Sequence, residues 1–287
     1  MIAIGQYNTL KISRLSEYGA YLCEVENNHC KKDDEILLPR RYVNDGMSVG
    51  DEIRVFVYND SEDRPVATTE TPFATVGQFA FLQTVQVNRV GAFMEWGLQK
   101  NLLVPFKEQK IKMFPGGIYL VYVYLDNNSG RVVASARIEK FLGNVFPTYK
   151  HGEKVDALVI GRNEIGFQTI VDNLHRGIIY FNETFHPVEI GSHIEAYVKN
   201  IRPEDSKIDL TLTAPGTVDR IEKIAHLIME SLNFQNGSMQ VTDKTSPDQI
   251  KSLFHCSKKD FKKALGMLYK LRKIQIGEEN ITLTSMN

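Results

Sequence analysis

Five lysines near the C-terminal end form the clearest chemical pattern in this 287-residue sequence. Wound at roughly 100° per residue, Lys259, Lys262, Lys263, Lys270 and Lys273 fall within an arc of roughly 100°. Phe261, Ala264, Leu265, Leu268 and Leu271 take the opposite side. Such a row of ammonium groups can meet the phosphates of a nucleic-acid backbone; a solvated lysine face is the alternative. A second group, Lys100, Lys107, Lys110 and Lys112, gives the middle of the chain a positive field. Catalytic patterns are missing: there is no Walker loop, no paired-histidine metal motif and no G-x-S-x-G elbow. Asp33-Asp34 and Glu62-Asp63 read as solvated charge. Cys23, Cys30 and Cys256 are odd in number and form no CxxC pair, and His29-Cys30 has no second pair to complete a metal corner. We therefore expect no catalysis, no metal and no cofactor.

The elements that must carry these residues show first in the charge distribution. Net charge is −1 overall. Residues 1–72 carry 8 basic and 13 acidic side chains, 73–150 carry 9 and 4, 151–215 carry 6 and 10, and 216–287 carry 11 and 8. A near-neutral average thus hides two basic modules. Apolar runs are short and broken by charge, and the start MIAIGQYNTLKI has neither a basic opening nor an apolar block. The expectation is a cytoplasmic protein with reduced cysteines and no membrane partner.

One pattern then occurs three times. Each copy opens on a glycine (Gly5, Gly77, Gly152) and carries a second inside an apolar strand (Gly19, Gly91, Gly166). A short apolar strand follows at Leu37-Leu38-Pro39, Leu103-Val104-Pro105 and Ile178-Ile179-Tyr180. A third glycine (Gly50, Gly116, Gly191) precedes an alternating strand, and a polar turn leads to a last one. The first copy is longer, with an enlarged hairpin loop at Asn27-Asn28-His29-Cys30-Lys31-Lys32. Five short strands per copy, with glycines inside them, predict a small closed barrel bent by bulges.

These residues resemble the RNA-binding OB-fold repeat of the largest small-subunit ribosomal protein, the S-one motif. Three such repeats and a C-terminal winged helix resemble the conserved virulence factor B family of bacterial RNA-binding regulators. The resemblance implies a mainly β chain of three tandem five-stranded OB-fold barrels followed by a small α+β winged-helix domain. Its boundaries would be 1–72, 73–148, 149–215 and 216–287. It also implies a site in which two aromatics flank the strand glycine and an Asp/Arg pair lies on the last hairpin. Tyr18, Tyr21, Asp60 and Arg64 match it in the first repeat, with a bulge at Gly19 bringing the two tyrosines to one side. Phe93, Asp126 and Arg131 match in the second, where Val90 fills the first aromatic slot and Trp96 lies three residues past Phe93. The third has Ile165 and Gln168 in those slots, which leaves Tyr180 and Lys207 and suggests a spacer or a protein-contact module. Pro39, Pro105 and Tyr180 stand where the motif has histidine. Aromatic stacking on bases and cations on phosphates are how single strands are held; filling of barrel cores is the alternative for each ring. Repeat two, the more basic, ranks ahead of repeat one.

After Pro215-Gly216 the period turns helical. Residues 218–232 predict a helix with Ile221, Ala225, Ile228 and Leu232 on one face. Ser246-Pro247-Asp248-Gln249 and Ser257-Lys258-Lys259-Asp260 are capped helix starts joined by a turn near His255. Ile274–Ile276 and Ile281–Leu283 predict a hairpin wing whose tip, Glu278-Glu279, is unsuited to a DNA groove. The functional expectation is a non-catalytic binder of RNA, single-stranded by preference, that regulates gene expression after transcription. A winged-helix DNA regulator, a protein-interaction scaffold and a carboxylate nuclease remain as alternatives.

Overall fold

Period-two burial sets the strands of the first barrel. The computed structural model describes residues 2–25, 30, 32–181 and 187–284. Most of the enlarged loop expected at 27–32 lies outside them. In β1 (Gln6–Ser16) Leu10 and Ile12 are buried and their neighbours are not. β2 (Gly19–Glu24), β3 (Ile36–Pro39), β4 (Glu52–Asn59) and β5 (Pro65–Thr68) close with it in the order β1-β2-β3-β5-β4. Only β3 and β5 run parallel; the other four pairs are antiparallel. β6 (Phe79–Val87), β7 (Gly91–Glu95), β8 (Leu102–Pro105), β9 (Ile118–Leu125) and β10 (Val132–Ser135) repeat that order. So do β11 (Lys154–Arg162), β12 (Gly166–Val171), β13 (His175–Tyr180), β14 (His193–Ile201) and β15 (Ile208–Thr211). Closure leaves none of these strands with an unpaired edge.

The strand glycines serve close approach. A Cβ on Gly19 would stand 2.0 Å from the Leu38 carbonyl oxygen across the β2–β3 ladder. At Gly91 it would stand 2.3 Å from the Val104 oxygen, and at Gly166 2.3 Å from the Ile179 oxygen. The bulge expected at Gly19 is not there. The register slips on the opposite strand, between Ile12 and Arg14, and equivalently between Thr84 and Gln86 and between Val159 and Gly161. An extra residue on the first strand bends each barrel, and β2 itself runs regularly.

The end of β4 is buried on both faces. Val55 and Val57 fill barrel one, while Phe56 and Tyr58 turn outward into the core of barrel two. There they meet Trp96 edge-on, with centroids 5.9 and 6.5 Å away. The link between the barrels is tied down as well. Phe73 N–H donates to the Trp96 carbonyl at 2.8 Å and Val76 N–H to the Gly5 carbonyl at 2.9 Å. Barrels one and two therefore share one core. Barrels two and three meet through Phe79, Leu142, Leu158 and Ile170, and Asn173 accepts a hydrogen bond from Phe79 N–H at 2.9 Å.

The C-terminal residues fold around α1 (Thr217–Phe234), α2 (Pro247–Phe254) and α3 (Lys258–Lys270). Ser246 Oγ caps α2 by accepting from Gln249 N–H at 3.3 Å, and Ser257 Oγ caps α3 by accepting from Asp260 N–H at 3.1 Å. His255, in the left-handed region at φ 51°, makes the turn between them. β17 (Ile274–Ile276) and β18 (Ile281–Leu283) form the expected hairpin. β16 (Ser238–Met239), too short to leave a periodic signal, pairs on the far side of β18. Two expectations change here. Helix α3 ends at Lys270, so Lys273 lies beyond it, and Leu271 is 54 % exposed rather than part of the apolar side. Arg272 at φ 53° breaks the helix before Lys273 could continue the stripe. Among the described residues no helix is long and apolar enough to cross a membrane.

Candidate nucleic-acid interface

Strand β7 and the hairpin of β9 and β10 bring Phe93 and Arg131 to one groove of about 210 Å³ between barrels one and two. Phe93 is half-buried opposite Leu103, and Val90, in the first aromatic slot, is exposed at the tip of the β6–β7 turn beside it. Lys100 reaches the groove from barrel two and Asp63 from the β4–β5 hairpin of barrel one. Lys107 is exposed and makes no ion pair among the described residues. An apolar ring flanked by cations is what a stacked base with its phosphate requires.

Trp96 does not join that face as a stacking platform. It is 2 % exposed, packed on Phe56 and Tyr58, and its Nε1–H donates to the Lys100 carbonyl at 2.6 Å. β7 ends at Glu95, and the chain then turns Trp96 into the shared core. Acrylamide should quench its fluorescence weakly in the folded chain. Trp96→Phe should cost about 1–2 kcal/mol in a denaturant melt, from lost volume and a lost donor. Quenching as strong as that of free indole would return Trp96 to the surface.

The acid–arginine pairs differ between repeats. In barrel one Arg64 chelates Asp60 through Nε at 3.0 Å and Nη2 at 2.8 Å, and also meets Glu62 at 2.9 Å. Partial burial would raise the Asp60 carboxyl, but the Arg64 hydrogen bonds outweigh it and hold the group below its ordinary value. In barrel two no such pair forms. Asp126 accepts from Ser129 Oγ at 2.7 Å, while Arg131 reaches across to Asp63. Tyr18 is 65 % exposed in the β1–β2 turn, outside the strand. Tyr21 sits in β2 with the Arg14 guanidinium 3.5 Å above its ring, so one ring face is already covered.

A second groove, of about 440 Å³, lies between barrels two and three. It is lined by Lys110, Arg176, Arg202 and Lys207, with Gln168 among the polar residues and Glu139 the one carboxylate. Arg202 bonds Asp209 at 2.9 Å and donates to the Tyr180 hydroxyl, Lys207 pairs with Asp205 at 2.6 Å, and Lys110 pairs with Glu139. Arg176 is exposed and has no ion pair among the described residues. Sequence reasoning missed Arg176 and Arg202 and read this barrel as a spacer or a protein-contact module. A signal existed for Arg202. Asp60, Asp126 and Arg202 each donate their N–H, at 2.9 Å, to the carbonyl closing the last hairpin: Arg64, Arg131 and Lys207. Repeat three thus carries two cations where the others carry an acid and a cation.

On α3, Lys259 and Lys263 are exposed without an ion pair among the described residues, and Lys270 is exposed. Lys262 meets Asp243 at 3.4 Å. The exposed stripe on α3 is therefore Lys259, Lys262, Lys263 and Lys270, with Lys262 held by Asp243.

Comparison with known proteins adds to this geometry. The S1 domain family matches residues 4–70 and the CvfB-like winged helix domain family matches residues 226–283. The chain is 28 % identical over 281 residues to the uncharacterized protein YitL of Bacillus subtilis, covering 94 % of this chain and 90 % of that one. It is 27 % identical over 248 residues to conserved virulence factor B of Staphylococcus epidermidis, covering 84 % and 82 %. A crystal structure of a multidomain protein with nucleic acid binding domains from Streptococcus pneumoniae is 23 % identical, at TM-score 0.39, over 98 % of both chains.

Proposed function

Because this chain belongs to the conserved virulence factor B family, we propose that it is a non-catalytic, cytoplasmic RNA-binding protein that regulates gene expression after transcription. Single-stranded RNA stacks on Phe93 and places phosphates on Arg131, Lys100 and Lys107. Tyr18 and Arg64 extend the face on barrel one, and Lys207 with Arg176 and Arg202 on barrel three. Lys259, Lys263 and Lys270 add phosphate contacts on α3. The domain boundaries that go with this reading are 1–72, 73–148, 149–215 and 216–287.

The groove holding Phe93, Arg131 and Lys100 together is the observation that carries the reading. A neutral ring there can stack on any base, a contact worth about 1–3 kcal/mol each, and stacking needs an unpaired base. Single strands should therefore bind more tightly than duplexes of equal length. Phe93→Ala should weaken binding about tenfold, the equivalent of about 1.4 kcal/mol. Equal affinity for duplex DNA with a silent Phe93→Ala would favour a DNA regulator instead.

A further inference from the structure

Resting on the RNA-binding reading above, we propose that the Asp63 carboxylate is a built-in competitor of phosphate. It occupies the Arg131–Lys100 cation pair where a phosphodiester of the bound strand belongs, so RNA binds by displacing it.

Asp63 stands at the tip of the β4–β5 hairpin with φ 65°, a left-handed backbone that short polar residues tolerate. The tip is held in place from below. Asp63 N–H donates to the Asp60 carbonyl at 3.1 Å, and the Asp60 side chain accepts from Glu62 N–H at 2.9 Å and Arg64 N–H at 3.0 Å. From that perch the Asp63 carboxylate meets an Nη of Arg131 and lies 3.8 Å from the Lys100 ammonium. The same ammonium donates to the Asp60 carbonyl. Burial pulls the Lys100 ammonium below its ordinary value, against the opposing pull of Asp63. Two cations from barrel two thus converge on one anion from barrel one, in the groove that also contains Phe93.

Carboxylate and phosphate are recognised by the same donors, and guanidinium suits both. The three side chains are 35 %, 39 % and 50 % exposed, so water screens the cluster and exchange of one anion for another is cheap. A fully buried pair would hold its carboxylate far more firmly. The core shared by the two barrels stays intact, and only the Asp63 side chain has to move.

Asp63→Asn tests this, because asparagine accepts the same backbone and removes the charge. In titrations of the full chain with a labelled short oligouridylate, D63N should bind about fivefold more tightly, the scale of one screened ion pair. Its log affinity against log salt should keep nearly the wild-type slope, because the same phosphate is neutralised in both complexes. D63G, which the left-handed backbone also accommodates, should behave alike. Asp45, exposed on barrel one and without a cationic partner among the described residues, supplies a control of equal charge change. D45N should leave affinity unchanged. If the wild type binds RNA, Phe93→Ala weakens it and D63N does not tighten it, the competitor is overturned and the RNA reading stands. An equal gain in D45N also overturns it, in favour of long-range charge. If neither the wild type nor D63N binds the oligouridylate at low salt, the RNA reading fails and the competitor fails with it.

Discussion

Gly19→Ala should destabilise the protein by about 4 kcal/mol or more, a large part of the total stability of an ordinary domain. The added methyl would stand 2.0 Å from the Leu38 oxygen, 2.8 Å from Arg40 N and 2.9 Å from the Pro39 carbonyl carbon. All three are backbone atoms, so no side chain can swing away. β2 and β3 would have to separate, and β3 also carries the parallel contact to β5 that closes the barrel. Gly50 offers the internal comparison. Its φ is 100°, yet a Cβ there meets nothing within 4 Å. Gly50→Ala should therefore cost only the backbone strain, about 1–2 kcal/mol. Urea melts of the two variants would decide the matter. Equal losses would show that conformation, and not the approach of the Leu38 carbonyl, is what fixes a glycine in each repeat.

Replacing Lys259, Lys263 and Lys270 together with glutamine should flatten the slope of log affinity against log salt by about two units on single-stranded RNA, about 0.7 per lysine. Across a fourfold change in salt, two units amount to about a sixteenfold difference in relative affinity. Base preference should not change, because phosphates carry no sequence information. Folding should also hold, within about 0.5 kcal/mol, since the buried side of α3 is made by Phe261, Ala264, Leu265 and Leu268. Lys262→Gln alone should have a smaller effect, as that ammonium already faces Asp243. An unchanged slope in a folded triple variant would mark the stripe as solvated surface and α3 as a docking face for protein.

The barrels were legible because closure imposes two rules on any sequence that obeys it. Inward residues alternate, as Leu10 and Ile12 do, and a side chain is barred wherever one strand's carbonyl presses on the next, as at Gly19, Gly91 and Gly166. The helix starts were legible for a similar reason, since Ser246 and Ser257 satisfy donors that every helix leaves open. The interface was legible only in part. Phe93 and Trp96 are both aromatic and three residues apart, but their fates depend on where β7 stops and on Phe56 and Tyr58 arriving from another barrel. Arg131 does reach the groove, yet its partner was expected on its own hairpin and is Asp63 of the repeat before. Tyr21 does lie in β2, but the slip at Ser13 that lets Arg14 cover its ring leaves no mark in the spacing. Pairings within a repeat follow from its pattern, whereas pairings between repeats depend on a docking geometry that the pattern does not encode.

The common core of the first two barrels bears on how such a chain can be inherited. A repeat that buries its own hydrophobic surface can be duplicated, deleted or exchanged between genes with little harm. The first repeat cannot be removed here without stripping Phe56 and Tyr58 from Trp96 and leaving an indole and its neighbours open to water. Recombination between homologous genes should therefore pass barrels one and two on as a single block. Crossover points within residues 69–78, where the link is hydrogen-bonded to both barrels, should be selected against.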